Sequence, residues 1–269
     1  MSLRQKLKSW LLKNLSYSSR RTIASILNWN KFDEYQLIYK YLSTKLKKKE
    51  KGKLLVDVGA AEGEISIYFN KKNWEVIAFE PDDINRAKFT EYCEQYNCNI
   101  EIHDVAVADK KGKLPFYTSD VSMGIKGLNN FHESHKPYKY VDIIPLKDFL
   151  NEEEISVINF LKIDTEGYDF FVLKGIDYEN VQIDIILCEY DNKKTQKLGY
   201  ELRDILRFLE DNGFKSVISE WYPLEKYGSG HKWKGFTQKS EDVDPDCWGN
   251  IISVPSSDFE NLKEFVFSK

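Results

Sequence analysis

The sequence predicts an α/β protein whose mostly parallel sheet is covered by helices on both faces. Three observations support this prediction. Apolar runs of strand length alternate with helical stretches from residue 54 onward. The runs are continuously apolar, which is typical of parallel strands buried on both faces. The first run, Leu54 to Val58, is followed at once by a turn that begins and ends with glycine, Gly59 and Gly63.

The expected elements follow in a regular order. We predict strands at residues 54–58, 75–79, 100–103, 157–163, 183–188, 214–219 and 249–254. We predict helices at residues 63–71, 82–96, 167–174 and 199–212. Residues 104–145 break the alternation, because glycines and prolines such as Gly112 and Pro137 divide short apolar runs. We expect a small antiparallel excursion or a loop there.

Charge divides the chain into two parts. Residues 1–53 hold 14 Lys or Arg and 3 Asp or Glu, a net charge of +11, whereas the whole chain has −4, so the remainder carries −15. We predict a basic helical N-terminal extension over residues 1–53, with its second helix at 32–46, and a main domain over residues 54–269. The acidic main domain disfavours nucleic acid as a partner. The extension could make a peripheral contact with an anionic membrane, or it could pack its apolar stripe on the main domain.

The sequence also bears on the compartment. No apolar run approaches the length of about 18 residues that a membrane span needs, and the charges near the N-terminus do not fit a signal peptide. The four cysteines have neither metal nor disulfide spacing, which fits a reducing compartment. We therefore expect a cytoplasmic protein, and the sequence leaves its oligomeric state open.

The turn after the first strand indicates a nucleoside-containing cofactor. Its glycines let the backbone approach a ligand at the carboxyl end of the strand. Glu80, at the end of the next strand, is placed to accept hydrogen bonds from ribose hydroxyls. The spacing Asp57-x-Gly59-x-x-x-Gly63 differs from that of dinucleotide sites, and the acids Asp57 and Glu62 disfavour a pyrophosphate. S-adenosylmethionine carries a ribose and positive charge without a phosphate, so it suits the turn better than NAD.

Acidic residues recur where the predicted strands end. In open α/β sheets, ligands bind outside the carboxyl ends of the strands. The acids at these ends are Asp57, Glu80, Asp104, Asp164 and Glu189. Asp104 followed by Val105 would suit an adenine, because a carboxylate can accept from its exocyclic amine while small apolar residues pack on its ring.

Four motifs resemble those of the FkbM family of S-adenosylmethionine-dependent methyltransferases. They are Asp-Val-Gly-Ala-x-x-Gly at residues 57–63, Phe-Glu-Pro at 79–81, Val-Ala-Val-Ala-Asp at 105–109 and Leu-Lys-Ile-Asp-Thr-Glu-Gly-x-Asp-x-x-Val-Leu-x-Gly at 161–175. The resemblance covers roughly residues 54–255, with Ala61 and Asp169 as departures from the family pattern. It implies a Rossmann-like class I methyltransferase fold with a mostly parallel seven-stranded sheet, and O-methylation, often of sugars in glycans or of natural products.

The resemblance also implies positions for the cofactor and the reaction centre. The methionine part of S-adenosylmethionine would lie at Asp57, Gly59, Ala60 and Gly63. The ribose would lie at Glu80 and Pro81, and the adenine at Asp104 and Val105. Asp164 and Glu166 would lie at the reaction centre, where Asp164 would also contact the cofactor.

Transfer of a methyl group to a hydroxyl is helped by a base that removes the hydroxyl proton. The candidates are Asp164, Glu166, Glu189 and His231. Asp164 or Glu189 could instead hold a divalent cation such as Mg²⁺ together with Asp191. The aromatic residues of the segment 220–248 either bind a sugar acceptor or cover the edge of the sheet.

We therefore expect an O-methyltransferase that acts on a small molecule or glycan acceptor, specifically on a sugar hydroxyl. Two alternatives stay open at this point. One is a nicotinamide-dependent oxidoreductase built on the same sheet, against which the acidic turn counts. The other is a non-catalytic methyltransferase-like adaptor, against which the intact cofactor residues count.

Overall fold

The computed structural model describes residues 32–46, 52–120, 126–223 and 231–268. The strands are β1 (Leu54–Val58), β2 (Glu75–Phe79), β3 (Glu101–His103), β4 (Ala106–Ala108), β5 (Gly112–Ser119), β6 (His135–Pro145), β7 (Val157–Ile158), β8 (Phe160–Ile163), β9 (Gln182–Ile183), β10 (Ile186–Tyr190), β11 (Phe214–Trp221), β12 (Trp233–Thr237) and β13 (Trp248–Pro255). The α-helices are α1 (Glu34–Lys45), α2 (Glu64–Asn70), α3 (Asp83–Tyr96), α4 (Leu146–Glu152), α5 (Asp169–Lys174), α6 (Asn192–Thr195), α7 (Leu202–Asp211) and α8 (Phe259–Phe267).

Eight strands form the main sheet, in the order β12-β11-β13-β10-β8-β1-β2-β3. Strands β10, β8, β1, β2 and β3 are parallel, β13 is antiparallel to β10 and β11, and β12 is antiparallel to β11. The predicted α/β fold with a mostly parallel sheet is confirmed, but the predicted number of seven strands is wrong. The additional strand is β12, whose residues are all half-buried. It therefore lacks the continuous apolar run that marks the buried strands.

Both faces of the main sheet are buried, which explains the continuous apolar runs. Successive residues of a strand point to opposite faces. Val56 of β1 accordingly packs in one cluster with Leu173 of α5, whereas its neighbour Leu55 packs on the other face with Leu42 of α1 and Leu262 of α8. All five side chains are fully buried.

The break in the alternation is a second, three-stranded sheet in the order β4-β6-β5. Strands β5 and β6 pair antiparallel, as expected, whereas β4 pairs parallel with β6. This small sheet follows β3 directly and supplies Ala106, Val107 and Phe116 to the site described below.

The helix expected at residues 32–46 is α1, and it packs on the main sheet. Its Tyr35, Ile38 and Leu42 are buried among sheet residues. Its first residue, Glu34, is also buried, and Oε1 of Glu34 accepts hydrogen bonds from the side chains of residues that belong to β11 and β13. These donors are Ser219 Oγ at 2.8 Å, Trp221 Nε1 at 2.5 Å and Asn250 Nδ2 at 3.2 Å. The apolar stripe of the basic extension, which consists of residues at helical spacing, lies outside the described residues: Leu3, Leu7, Trp10, Leu11 and Leu15.

Within the part of the chain that the structure describes, no helix has the length and apolarity needed to cross a membrane.

Candidate active site

A cavity opens at the carboxyl ends of β1, β2 and β8. Gly59, Glu80 and Asp164, the residues that follow these three strands, all line it. The strands are neighbours in the sheet and run parallel, so their ends meet at one edge. This is the place where ligands bind in open α/β sheets.

The glycine turn after β1 requires glycine at its first position. Gly59 has a φ of +76°, and a Cβ atom there would lie 1.9 Å from the backbone oxygen of Asp164. The buried Lys162 stabilises the turn through a hydrogen bond and an ion pair. Its Nζ donates to the Gly59 oxygen at 2.6 Å and lies 3.1 Å from Oδ1 of Asp57. The other carboxylate oxygen of Asp57 accepts from Ser66. Asp57 is thus buried under the turn, where it anchors Lys162.

Glu80 is placed to bind hydroxyl groups inside the cavity. Its carboxylate is fixed by two backbone donors at 2.8 Å, the N–H of Ala61 on Oε2 and the N–H of Asp82 on Oε1. Each carboxylate oxygen can accept more than one hydrogen bond, so both oxygens retain capacity for a ligand. Burial raises the pKa of Glu80, and the two backbone N–H groups oppose that shift.

One part of the cavity lining is an apolar wall. It consists of Phe79, Ala106, Val107, Phe116 and Leu128. Asn85, from the first turn of α3, adds a polar residue to the cavity lining. A flat heterocycle with a polar edge would therefore be accommodated beside the carboxylate of Glu80.

The loop after β8 presents Glu166 to the cavity. Glu166 has a φ of +57°, which is rare for a residue other than glycine. The buried Asp169 fixes this loop, because its carboxylate accepts hydrogen bonds from the backbone N–H groups of Thr165 at 2.8 Å and Gly167 at 3.0 Å. Such a strained backbone persists only where its surroundings hold it, which is common at functional sites.

Lys194 binds the carboxylate of Glu166 from behind. Its Nζ lies 2.6 Å from Oε2 of Glu166 and 2.9 and 3.1 Å from the two oxygens of Glu189. The pKa of Glu166 is raised to about 7: burial raises it most, the neighbouring Lys194 opposes that shift, and the carboxylates of Asp164 and Asp169 add to it. Burial also raises the pKa of Glu189 well above its ordinary value. Two carboxylates thus share one buried ammonium group.

The structure brings together some of the predicted site residues. Those that line the cavity are Gly59, Glu80, Pro81, Asp164 and Glu166. Those that lie outside the cavity lining are Asp57, Ala60, Gly63, Asp104, Val105, Glu189 and His231.

These outlying residues have other surroundings in the structure. Gly63 is the N-cap residue just before α2 and has a φ of +82°, and a Cβ there would collide with the ring of Phe89. Asp104 is exposed, and the residues after it, Ala106 and Val107, reach the cavity in its place. His231 is exposed and packs against Trp248, with ring centres 5.0 Å apart.

Sequence reasoning missed two lysines. Lys126 lines the cavity, and Lys194 binds Glu166. Both are buried, and a buried lysine is rare unless it is paired. No local pattern marked either residue, because the acids that they bind are distant in the sequence.

The structure does not support the alternative in which Asp164 or Glu189 holds a divalent cation. Among the residues in the described ranges, no group of three or more His, Cys, Asp and Glu side chains is arranged to hold a metal ion. Both oxygens of Glu189 bind Lys194, and Asp191 caps α6 by accepting from the N–H of Lys193.

The cavity fits S-adenosylmethionine. Glu80 would bind the ribose hydroxyls, the apolar wall would pack on the adenine, and the Gly59 turn would approach the methionine part. The acids Asp164 and Glu166 lie near the turn, where they would favour a cationic ligand over a phosphate. The fold and this site define an S-adenosylmethionine-dependent methyltransferase.

Comparison with known proteins identifies the family. Residues 57–216 match the family described as the methyltransferase FkbM domain. The chain belongs to the FkbM methyltransferase family, as its motifs predict. It is also 26% identical over 195 residues to Methyltransferase 1 of Beauveria bassiana (strain ARSEF 2860), and the match covers 63% of this chain and 76% of that protein. The family match sets aside the nicotinamide-dependent alternative.

Two solved structures resemble this chain in fold. The precorrin-6y C5,15-methyltransferase from Geobacter metallireducens GS-15 has a TM-score of 0.45 and 10% identity, with 84% of this chain and 90% of that chain covered. The magnesium protoporphyrin IX methyltransferase from Synechocystis PCC 6803 was solved with bound S-adenosylmethionine. It has a TM-score of 0.41 and 10% identity, and the match covers 82% of this chain and 77% of that chain.

Proposed function

We propose that the protein is an O-methyltransferase that moves the methyl group of S-adenosylmethionine to a sugar hydroxyl in a glycan or glycosylated metabolite. Glu166 carries the proposal. Its carboxylate lines the cavity beside Asp164, and its pKa of about 7 is the value that suits a general base at neutral pH. A hydroxyl acceptor needs such a base, because its proton must leave as the new carbon–oxygen bond forms.

The contacts of Glu166 suit this role. Lys194 binds its Oε2, and among the described residues its Oε1 has no hydrogen-bond partner. Oε1 can therefore accept the proton of an acceptor hydroxyl. Lys194 keeps the carboxylate aimed at the cavity throughout, because its ammonium group stays paired with Glu189 when Glu166 becomes neutral.

Each part of the cavity has a role in this reaction. When bound, S-adenosylmethionine supplies an activated methyl group on its sulfonium. Glu80 orients the ribose, and Gly59 lets the backbone approach the ligand closely. The apolar wall and the bound cofactor keep water away, which makes alignment of the acceptor hydroxyl the main contribution of the protein.

Two features support a sugar as the acceptor. The side chain of Asp164 is 45% exposed at the cavity, and a carboxylate is a strong acceptor for sugar hydroxyls. Two aromatic side chains lie at the edge of the sheet where the cavity opens. Trp248 is the first residue of β13, and the exposed Tyr222 directly follows β11. Aromatic faces pack well on the apolar faces of sugar rings.

A screen with methyl-labelled S-adenosylmethionine tests the proposal. The acceptors are nucleotide sugars, free oligosaccharides and lipid-linked glycans. We expect label in at least one sugar, and we expect it to survive mild alkali, because a methyl ether resists base whereas a methyl ester does not. Label that alkali releases would show transfer to a carboxylate and would contradict the proposal.

The matched variant is Glu166→Gln, which keeps the shape of the side chain and removes its basicity. The variant should bind S-adenosylhomocysteine like the wild type, while transfer falls about 100-fold, the low end for a positioned base. Equal turnover of the two proteins would remove Glu166 from the mechanism.

We also propose the setting in which the enzyme works. A reducing compartment such as the cytoplasm fits the four cysteines, which are free thiols. An acidic main domain fits a partner other than nucleic acid. Peripheral membrane contact through the basic N-terminal extension stays a prediction, since residues 1–31 of that extension lie outside the described ranges.

A further inference from the structure

A short segment, residues 126–129, runs from the part of the active site around Glu80 to the part around Glu166. Lys126, at its start, binds Asp82 beside the ribose carboxylate. Gly127 lies against the loop of Glu166, so that a Cβ on it would be 3.2 Å from the Thr165 oxygen. Asn129, at its end, donates through Nδ2 to the backbone oxygen of Lys194 at 2.7 Å. Its residues Lys126, Gly127 and Leu128 thus form a continuous part of the cavity wall.

Lys126 is unusual within this wall because it is a buried cation. Its Nζ lies 3.0 and 3.1 Å from the two carboxylate oxygens of Asp82. The two side chains are 3% and 0% exposed. Burying an ion pair costs desolvation that the attraction only partly offsets, and an apolar pair could fill the same space. The charges therefore call for an explanation other than packing.

The other hydrogen bonds of Asp82 provide this explanation. Its backbone N–H donates to Oε1 of Glu80 at 2.8 Å, and its side chain also caps α3 by accepting from the N–H of Asn85 at 2.9 Å. Lys126 therefore holds Asp82, and Asp82 holds Glu80. The ammonium group also compensates the carboxylate of Asp82, which would otherwise stand uncompensated close to that of Glu80.

We propose that Lys126 is a cofactor-positioning residue, which acts through Asp82 to hold Glu80 in the orientation that binds the ribose of S-adenosylmethionine. The proposal rests on the cavity being the S-adenosylmethionine site, and it does not depend on the identity of the acceptor. It also explains why a buried charged residue lies at the ribose end of the cavity.

Calorimetry with S-adenosylhomocysteine tests the proposal without an acceptor. Lys126→Met should weaken binding about tenfold or more, because the ribose contacts are charge-assisted hydrogen bonds that depend on geometry. The matched control is Lys139→Met, which breaks the pair of Lys139 with Asp83, the residue after Asp82, at the exposed surface. The control should bind within about twofold of the wild type. Equal affinities of Lys126→Met and the control would overturn the proposal.

A double-mutant cycle with Glu80→Gln separates positioning from general damage. If Lys126 acts through Glu80, the double variant Glu80→Gln/Lys126→Met should bind no more than about threefold more weakly than Glu80→Gln alone. Fully additive losses would show that Lys126 acts by another route and would overturn the proposal. Lys126→Arg can still pair with Asp82, so it should recover most of the affinity.

Lys126→Met leaves Asp82 buried and unpaired, so this variant could fail to fold. The variant Asp82→Asn/Lys126→Met removes both charges and keeps an oxygen to cap α3. Its affinity for S-adenosylhomocysteine should still be about tenfold weaker than that of the wild type, and wild-type affinity would overturn the proposal. Glu80→Ala reports separately on the cavity: if it binds normally, the site assignment fails.

Discussion

The pKa of Glu166 predicts how methyl transfer depends on pH. A base must be deprotonated to accept a proton, so activity should rise as pH rises through the pKa of about 7. At pH 6 about one tenth of the Glu166 carboxyls are ionised, and at pH 8 about nine tenths are, so kcat/KM should rise about tenfold between them. A carboxyl at its ordinary value of 4.5 would already be ionised at pH 6 and would give a flat profile.

The assay is kcat/KM for a sugar acceptor, measured at saturating S-adenosylmethionine from about pH 5.5 to 9. Glu166→Gln serves as the control, because its residual activity should lack the rise near pH 7. A direct measurement needs no acceptor: carbon NMR of the protein labelled at the glutamate carboxyls should show a titration near pH 7 that disappears in Glu166→Gln. A flat wild-type profile, or the same rise in the variant, would refute the reasoning.

Three further substitutions test other parts of the site. Glu80→Ala should weaken S-adenosylhomocysteine binding about tenfold or more in calorimetry, since ribose contacts are lost; unchanged affinity would remove the ribose assignment. Gly59→Ala should lower the free energy of unfolding by about 2 kcal/mol more than Gly199→Ala, which has a similar φ but no neighbour within 4 Å; equal losses would contradict the close approach to Asp164. Asp164→Asn should stay folded while kcat/KM for the acceptor falls about tenfold, since a charge-assisted hydrogen bond to the acceptor is lost; an unchanged kcat/KM would exclude Asp164 from acceptor binding.

The buried strands and the glycine turn could be predicted because their sequence signals are local. Strands β1 and β2 have the predicted limits, since an apolar run is read directly from neighbouring residues. Strand β12 escaped prediction because it is half-buried and has no such run. The residues at the strand ends, such as Glu80 and Asp164, could be placed because parallel strands end at one edge.

The contacts between side chains could not be predicted, because they join distant parts of the chain. Lys126 lies 44 residues from Asp82, and Lys194 lies 28 residues from Glu166. Only the folded chain brings these charges together. The prediction that Asp57 contacts the cofactor came from its position in the motif. In the structure the carboxylate of Asp57 lies 3.1 Å from Nζ of Lys162, which donates to the backbone oxygen of Gly59. Asp57 therefore acts on the cofactor site by holding the glycine turn in place.

The hydrogen bonds of Glu34 determine how much of the N-terminus can be removed without disturbing the main sheet. We call residues 1–31, which precede α1, the N-terminal arm. A chain shortened to begin near residue 51 would lack α1, so Ser219, Trp221 and Asn250 would lose the carboxylate that they share, and the apolar face under α1 would be exposed to water. Such a protein would bind vesicles, aggregate or unfold for reasons unrelated to the arm. A chain that begins at Phe32 keeps α1 and loses only residues 1–31. Comparing its sedimentation with anionic liposomes to that of the full chain therefore isolates the arm.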